Sequence, residues 1–227
     1  VIIPTKTRLD LLRSCLAGLA ARTGYPRLET LIVDNGADRE ALADVVRSAG
    51  EGLAIRVVQD HGAFNFSRLI NLGAARSAGD LLLILNDDIE PIEPGWLHRM
   101  AASAMEPDTG AVGARLVYPD RTLQHAGVVL GVGGSCGHLY KGMAHEEAER
   151  CAHVAAPSSR MAVTGACLAV RRALFEDAKG LDEAFAVGLN DIDFCLRLRA
   201  LGYRTAYRGD AVLVHHESQS RGLDDAG

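Results

Sequence analysis

The sequence predicts an α/β fold built around a mainly parallel sheet. Two observations lead to this prediction. Short aliphatic runs alternate, in the first half of the chain, with stretches in which leucine recurs at helical spacing. One run, LLLIL at residues 81–85, is apolar at every position, which is typical of a strand buried on both faces of a parallel sheet. The chain of 227 residues is long enough to form one such domain.

The first half predicts four strands joined by three helices. Leu9, Leu12, Leu16 and Leu19 have the spacing of one helix face. Strands are expected at residues 1–3, 30–33, 55–58 and 81–85, and helices near residues 9–19, 39–48 and 67–77. Regular alternation of strand and helix favours a parallel sheet over a hairpin architecture.

The second half is less regular. Strands are predicted at residues 112–118, 128–130, 161–170 and 211–214, and the long, glycine-rich segment 131–160 is predicted to be a mobile loop. A last helix is expected to begin at Asn190 as its N-cap, with Asp193 reaching back as in a capping box. Gly202 is suited to end that helix.

Composition argues against several classes of partner. The net charge is −5, and the basic residues are scattered singly, so neither nucleic acid nor an anionic membrane surface is an expected partner. No apolar run approaches the roughly 18 residues of a membrane span, and no signal peptide is recognisable. We therefore expect a cytoplasmic chain without a transmembrane segment. Because it opens on VIIP without Met, we also expect it to be a fragment of a longer chain.

The cysteine spacing and the lack of phosphate-binding motifs argue against several kinds of site. Five cysteines lie far apart without a Cys-x-x-Cys pair, which indicates reduced thiols and no zinc site. The first strand is followed by neither GxGxxG nor a P-loop lysine. Hydride transfer and P-loop phosphoryl transfer therefore lose their main support.

Polar residues follow two of the predicted strands. Asp34 ends the second strand, and Asn86, Asp87 and Asp88 follow the fourth. Ligands of open α/β sheets bind beyond the carboxyl ends of the strands, and carboxylate oxygens are ligands that Mg²⁺ and Mn²⁺ prefer. A cation and nucleotide site is thus predicted at this edge, the alternative being a solvated turn.

Three further residues are candidates in the second half. Asp191 lies in the first turn of the last predicted helix, where it could act as a general base or only cap the helix. His215 and His216 are adjacent on a strand, so their side chains are expected on opposite faces and at most one enters a given site. A histidine without a function fits either position equally well.

The segments VIIPTKTR, LIVDNGA, FNFSRLINLGAARSAGD, LLLILNDDIEP, TGACLAVRRALFE and GLNDIDFCLRLRALGYR together resemble glycosyltransferase family 2, the inverting enzymes of the GT-A fold. The resemblance runs from Val1 to about Gly222 and is strongest to domains that build bacterial surface polysaccharides, including rhamnosyltransferase-like ones. It implies a Rossmann-like, mainly parallel central sheet flanked by helices, with a smaller acceptor-side subregion. Residues 1–90 would bind the nucleotide sugar, and residues 91–227 of the same domain would bind the acceptor and supply the base.

The resemblance also implies a role for each matching residue. Asp88 would bind Mg²⁺ or Mn²⁺, Asp191 would be the catalytic base, and His216, with His215 less favoured, would help to hold metal or diphosphate. The implied donor contacts are Pro4 and Thr5 of the first loop, Asp34 for a pyrimidine base, Asn71 in the helix before the metal motif, Asn86 in that motif, and Asp87 for the ribose.

The implied activity is transfer of a sugar from a UDP- or dTDP-sugar to an oligosaccharide or lipid-linked acceptor, in the cytoplasm or at the inner membrane face. Segment 131–160 would close over the donor as a lid. Two departures, Asn86 and Asn190 where many members carry acidic residues, favour the alternative of a catalytically silent binding module. A nucleotidyltransferase would need a glycine-rich, basic first loop, which PTKTRLD is not.

Overall fold

The computed structural model describes residues 1–49, 52–131 and 135–217. Its first half confirms the predicted alternation of strand and helix. In chain order the elements are β1 (Ile2–Thr5), α1 (Leu9–Arg22), β2 (Glu29–Asp34), α2 (Arg39–Ser48), β3 (Ala54–Gln59), α3 (Phe66–Arg76) and β4 (Leu81–Leu85). The four strands run in parallel in the order β3-β2-β1-β4.

The second half extends the same sheet. Its elements are β5 (Ile89–Pro91), α4 (Trp96–Ala104), β6 (Thr109–Val117), β7 (Leu123–His125), β8 (Val128–Leu130), β9 (Cys136–His138), α5 (His145–Arg150), α6 (Ala152–Ala155), β10 (Ser158–Arg160), β11 (Cys167–Arg171), α7 (Arg172–Asp177), α8 (Asn190–Ala200) and β12 (Arg204–His215). The sheet continues beyond β4 as β11-β6-β12-β10. Because β11 is antiparallel to β4, with Cys167 opposite Leu85, β11 begins at the edge where β4 ends.

Two apolar layers cover the sheet, one on each face. On β4, Leu82 and Ile84 pack into the layer that contains α3 and α8, while Leu83 and Leu85 pack into the layer that contains α1 and α4. Successive strand residues point to opposite faces, so a strand covered on both sides must be apolar throughout. The unbroken run LLLIL is thereby explained, and the predicted mainly parallel α/β sheet is confirmed.

Segment 131–160 differs from its prediction. Residues 132–134 lie outside the described residues, but residues 135–160 contain β9, α5, α6 and β10 and do not form one long loop. Ala148 and Val154 are buried in the core, and the Tyr207 hydroxyl donates to the carbonyl of Val154 (2.9 Å). Elements of three to six residues are too short to produce a readable period, which is why the sequence pattern missed them.

Two local predictions at the ends of elements are also corrected. The expected strand 161–170 is shorter than predicted, since the strand begins only at Cys167 and runs to Arg171. Helix α8 begins at Asn190, with Leu189 at the N-cap position in the left-handed region (φ 66°). Asp193 is paired with Arg197 one turn later (2.8 Å) and does not cap back onto Asn190. Gly202 follows the helix with φ +93°, as expected.

All five thiols are free, with Cys15, Cys167 and Cys195 buried. Within the described ranges, no helix is both long and apolar enough to cross a membrane.

Candidate active site

The carboxyl edge of the sheet brings the predicted carboxylates together. Thr5 at the end of β1 lies beside Asp34 at the end of β2, and residues 86–88 follow β4 at the same edge. The segment that leads into β11 arrives there too, because the Asn86 N–H donates to the carbonyl of Ala166 (2.9 Å). The antiparallel β11 therefore brings residues of the second half to this same edge of the sheet.

Asp87 has an unusual protonation state for a carboxyl group. Its Oδ2 accepts a hydrogen bond from the Thr5 hydroxyl (2.7 Å). Burial raises the pKa of Asp87 to about 7, with the charge of Asp88 adding to the rise and the Thr5 hydrogen bond opposing it. In the absence of a cation, this group is half protonated near neutral pH.

Asp88 is buried and incompletely paired. It is 5% exposed, and its Oδ1 lies 3.1 Å from Nε2 of His215 without forming a hydrogen bond of good geometry to any described residue. Burial raises its pKa, but the hydrogen-bonding contact and charge of His215 outweigh burial and leave the pKa of Asp88 below its ordinary value. A buried anionic oxygen without a full partner is a position at which a cation is stabilising.

A chain of polar side chains orients His215. Its Nδ1 lies 2.7 Å from Oε1 of Gln124, and Nε2 of Gln124 donates to Glu217 (2.7 Å). Because a carboxylate only accepts, the amide NH₂ must face Glu217 and the amide oxygen must face His215. His215 then donates from Nδ1, and Nε2 is the ring atom that faces Asp88. A second ring nitrogen bonded in this way is typical of a histidine that ligates metal.

The two adjacent histidines do point to opposite faces, as predicted. Nε2 of His216 lies 3.1 Å from Oε2 of Glu90, whereas His215 meets Asp88. The preference for His216 is therefore corrected, since only the backbone N–H of His216 contacts Asp88, at its carbonyl (3.0 Å). No sequence motif indicated Gln124, which is a buried polar residue on a strand of three residues.

Asp34 is held in a tight turn at the end of β2. Its Oδ1 accepts from the N–H groups of Gly36 (3.0 Å) and Ala37 (2.7 Å), and Gly36 has φ +102°. Its Oδ2 has no hydrogen-bond partner within the described part of the chain. The turn thus fixes the carboxylate and leaves one oxygen available to a ligand such as a nucleobase. Pro4, one residue before the end of β1, is buried opposite Val33 and offers only backbone.

Asn71 has a different role from the implied donor contact. Its amide donates to the carbonyl of Leu181 (2.9 Å) and to Glu183 (3.1 Å), and its oxygen accepts from the Leu181 N–H (2.9 Å). A Cβ at Gly180 would lie 2.5 Å from the Asn71 oxygen. Both polar atoms of the side chain thus form hydrogen bonds that hold α3 against the loop before α8.

We expect Asn71→Ala to lower the free energy of unfolding by about 1–3 kcal/mol, because the Leu181 N–H and carbonyl lose their hydrogen-bond partner. Urea denaturation would measure the change. Asn71→Asp should cost at least as much, because it places an oxygen where the amide NH₂ faces the Leu181 carbonyl and the Glu183 carboxylate. A variant with full stability but weaker nucleotide-sugar binding would instead support the donor-contact role.

Asp191 lies in the first turn of α8 and is fixed by two backbone donors. Its Oδ2 accepts from the Gly165 N–H (2.8 Å) and its Oδ1 from the Ile192 N–H (2.8 Å). A Cβ at position 165 would lie 3.3 Å from the Cβ of Asp191, so glycine permits the close approach. Gly165 directly precedes Ala166, whose carbonyl binds Asn86. One short segment therefore joins the candidate base to the candidate metal motif.

The donor set fits a hard divalent cation that is shared with a substrate. Within the described residues no cluster of three or more His, Cys, Asp or Glu side chains could hold a metal alone. Asp88 and His215 supply one carboxylate and one imidazole, and the unpaired Oδ1 of Asp88 is the observation that favours a cation. Mg²⁺ in particular is usually held by one or two carboxylates together with substrate phosphates.

Curated relatives give the chain a family context. A Sinorhizobium fredii protein is 41% identical over 99% of this chain, and the O-antigen biosynthesis protein RfbC of Myxococcus xanthus is 37% identical over 99% of it. The chain spans only 25% and 18% of the lengths of these two relatives. The N-acetylglucosaminyl-diphospho-decaprenol L-rhamnosyltransferase of Mycobacterium tuberculosis is 26% identical, with 93% of this chain and 73% of that protein covered.

A solved structure supports the fold. The mannosyltransferase PcManGT from Pyrobaculum calidifontis, in complex with GDP-Man and Mn²⁺, matches with a TM-score of 0.70 at 22% identity, covering 97% of this chain and 57% of that one. The predicted GT-A fold is thus confirmed. The model of the family described as glycosyltransferase like family 2 matches residues 1–224. A match of this extent, together with the fold, means that the chain belongs to glycosyltransferase family 2.

Proposed function

We propose that this chain transfers a sugar, with inversion, from a nucleotide diphosphate donor to a hydroxyl of a glycan or lipid-linked glycan. The observation that carries the proposal is the buried Asp88–His215 pair, with Oδ1 of Asp88 unpaired, at the same edge as Asp191. The Asp88–His215 pair would bind a cation together with the diphosphate, and Asp191 would bind an acceptor hydroxyl.

The donor would occupy the carboxyl edge of β1, β2 and β4. The free oxygen of Asp34 would accept a hydrogen bond from the base, and Asp87, fixed by Thr5, would accept one from the ribose. Asp88 and His215 would hold Mg²⁺ or Mn²⁺ against the diphosphate oxygens. The cation, when bound, neutralises the negative charge that develops on the leaving group.

Asp191 would act on the acceptor. One of its oxygens takes the proton of the acceptor hydroxyl as that oxygen attacks the anomeric carbon. The new C–O bond forms on the face opposite the diphosphate, the old C–O bond breaks, and the electron pair leaves with the nucleoside diphosphate. The two N–H groups on Asp191 keep its carboxylate in place during this step. A single displacement needs no covalent sugar intermediate.

The names of relatives favour a substrate class. RfbC is an O-antigen biosynthesis protein, and the mycobacterial relative is a rhamnosyltransferase whose name specifies a diphospho-decaprenol acceptor. We therefore propose transfer of a hexosyl or deoxyhexosyl group in surface-polysaccharide synthesis, on the cytoplasmic face of the membrane where such lipid-linked acceptors are presented. UDP- and dTDP-sugars are the first donors to test.

Calorimetric titration with UDP-, dTDP- and GDP-sugars, with and without Mn²⁺, tests the donor site. Binding of one nucleotide class is expected to depend on Mn²⁺ and to be lost in Asp88→Ala. Absence of binding to every donor, with or without metal, would count against the proposal.

Gln124 provides a test of metal binding that does not depend on turnover. We expect Gln124→Leu to weaken Mn²⁺ binding about 10- to 100-fold, since partners behind a metal-binding histidine contribute that much. Titration followed by electron paramagnetic resonance would measure free Mn²⁺. His216→Ala is the matched control, because His216 faces Glu90, and it should leave Mn²⁺ binding nearly unchanged. The reverse ranking of the two variants would restore His216 as the metal ligand.

A further inference from the structure

Strand β7 connects the two halves of the candidate site. Its last two residues, Gln124 and His125, point to opposite sides, as successive strand residues do. Gln124 reaches His215 beside the metal motif. His125 is fully buried and reaches away from it, toward the segment that carries Gly165 and toward His138 on β9.

His125 and His138 form a directly bonded pair. Their Nδ1 atoms are 2.7 Å apart, and the rings meet edge to face with centroids 4.9 Å apart. The other nitrogen of His125, Nε2, accepts from the Thr164 N–H (3.4 Å). Thr164 precedes Gly165, whose N–H holds Asp191. The histidine pair and the candidate base therefore accept hydrogen bonds from the N–H groups of two consecutive residues, Thr164 and Gly165.

These contacts determine where the protons lie. Because Nε2 of His125 accepts, it is unprotonated, and the proton of a neutral His125 must be on Nδ1. That proton is donated to Nδ1 of His138, which must then be bare. A neutral His138 consequently carries its proton on Nε2. Burial lowers the pKa of both rings, aided at His125 by His138 and at His138 by Lys141, so both are neutral at physiological pH.

His138 presents this fixed donor at the protein surface. The residue is exposed and lies opposite Val128, which itself bridges to Ala162 just before the Thr164 segment. The charges that act on His138 include those of Asp191, Glu217 and His215. Among the residues that the structure describes, none bonds to its Nε2. A neutral ring that can only donate at this atom suits an uncharged oxygen, such as a hydroxyl, ether or amide oxygen of a sugar.

We infer that His138 is an acceptor-binding residue, whose Nε2–H donates to an oxygen of the acceptor glycan beside the hydroxyl that Asp191 deprotonates. This inference rests on the proposed glycosyltransferase function. Gln124 bonds to His215, where the diphosphate would lie, whereas His138 is linked through His125 to the Thr164–Gly165 segment that holds Asp191. His125 touches no substrate and is a positioning residue that keeps the proton of His138 on Nε2.

The probes are octyl glycosides of glucose, N-acetylglucosamine and rhamnose, titrated into the ¹⁵N-labelled protein and followed by histidine ring NMR. Free protein should show the Nδ1–H tautomer at His125 and the Nε2–H tautomer at His138. At least one glycoside should shift the Nε2 resonance of His138.

We expect His138→Phe to weaken the binding of that glycoside about 3- to 30-fold, as for loss of one hydrogen bond. His138→Gln, which retains a donor of similar reach, should recover most of the affinity.

Kinetic measurements test this inference independently of the proposed function. In His138→Phe, the KM for the glycoside should rise while Mn²⁺-dependent hydrolysis of the donor without acceptor is unchanged. His125→Ala should produce mixed tautomers at His138, and His125→Asn, whose amide can still donate, should restore the single form. Equal glycoside binding by His138→Phe and the natural protein, or no glycoside binding at all, overturns the inference. Glycoside binding at His138 without donor binding or turnover would leave it standing and overturn the proposed function.

Discussion

Asp191→Asn is expected to abolish sugar transfer, with a fall in kcat of about 10²- to 10⁴-fold, the usual contribution of a general base. Donor and Mn²⁺ affinity should be unchanged, because Asp191 contacts neither in the proposed arrangement. Both carboxylate oxygens accept backbone N–H groups, and the amide can accept only with its oxygen. One N–H therefore loses its partner, and the free energy of unfolding should also fall by about 1–3 kcal/mol.

Asp193→Asn is the matched control. Asp193 lies in the same first turn of α8 but pairs with Arg197, away from Gly165. Transfer assays with a radiolabelled donor should rank the control close to the natural protein and Asp191→Asn far below it. If Asp191→Asn retained transfer within about tenfold of the natural protein, a positioned base would not be needed. If the natural protein bound donors but had no activity, the silent-module alternative would gain support.

Asn190 was one of two residues that favoured a catalytically silent binding module, and its contacts in the structure weaken this interpretation. Asn190 is 4% exposed, and its amide donates to the carbonyl of Phe185 (3.3 Å). The side chain fastens the start of α8 to the preceding loop. An amide in this position therefore serves packing, and its presence in place of an acidic residue leaves the neighbouring Asp191 carboxylate in position.

The fold and the clustering of carboxylates at one sheet edge were predictable because both depend on local sequence pattern. The apolar run of β4 showed that both faces of the sheet are covered, and the carboxyl ends of parallel strands lie at one edge. Asp34, Asp87 and Asp88 could therefore be placed from the sequence. Helix α4, by contrast, begins after Gly95 in the left-handed region (φ +76°) without a side-chain cap, so no start signal marked it.

Contacts that depend on register or on distant segments were not predictable. The pairing of β12 with β6 shifts register between Arg208 and Val212, and a shift of one residue exchanges the faces of all that follow. Which of the two adjacent histidines faces Asp88 depends on that register, and it is His215. The contacts of Asn71 are a similar case, because its partners, Leu181 and Glu183, lie more than 100 residues away.

Asp87 should make cation binding depend on pH. Its pKa of about 7 in the folded protein means that, below this pH, a cation beside Asp88 must displace a proton from Asp87. Mn²⁺ affinity is therefore expected to rise up to about tenfold per pH unit from pH 5.5 toward 7 and to level off above. Isothermal titration across this range would measure it. In Asp87→Asn, no proton is released from this position, and the dependence should flatten.

The sign of the stability effect follows from the same pKa. Between about pH 4 and 7 the folded protein without metal holds a proton on Asp87 that the unfolded chain has lost, so the free energy of unfolding falls as pH rises through this window. Asp87→Asn should remove that decline. Thr5→Val supplies an independent check, because the Thr5 hydroxyl lowers the pKa of Asp87 and its loss should move both transitions to higher pH. Transitions that stayed in place in both variants would mean that another group, and not Asp87, couples protons to the cation.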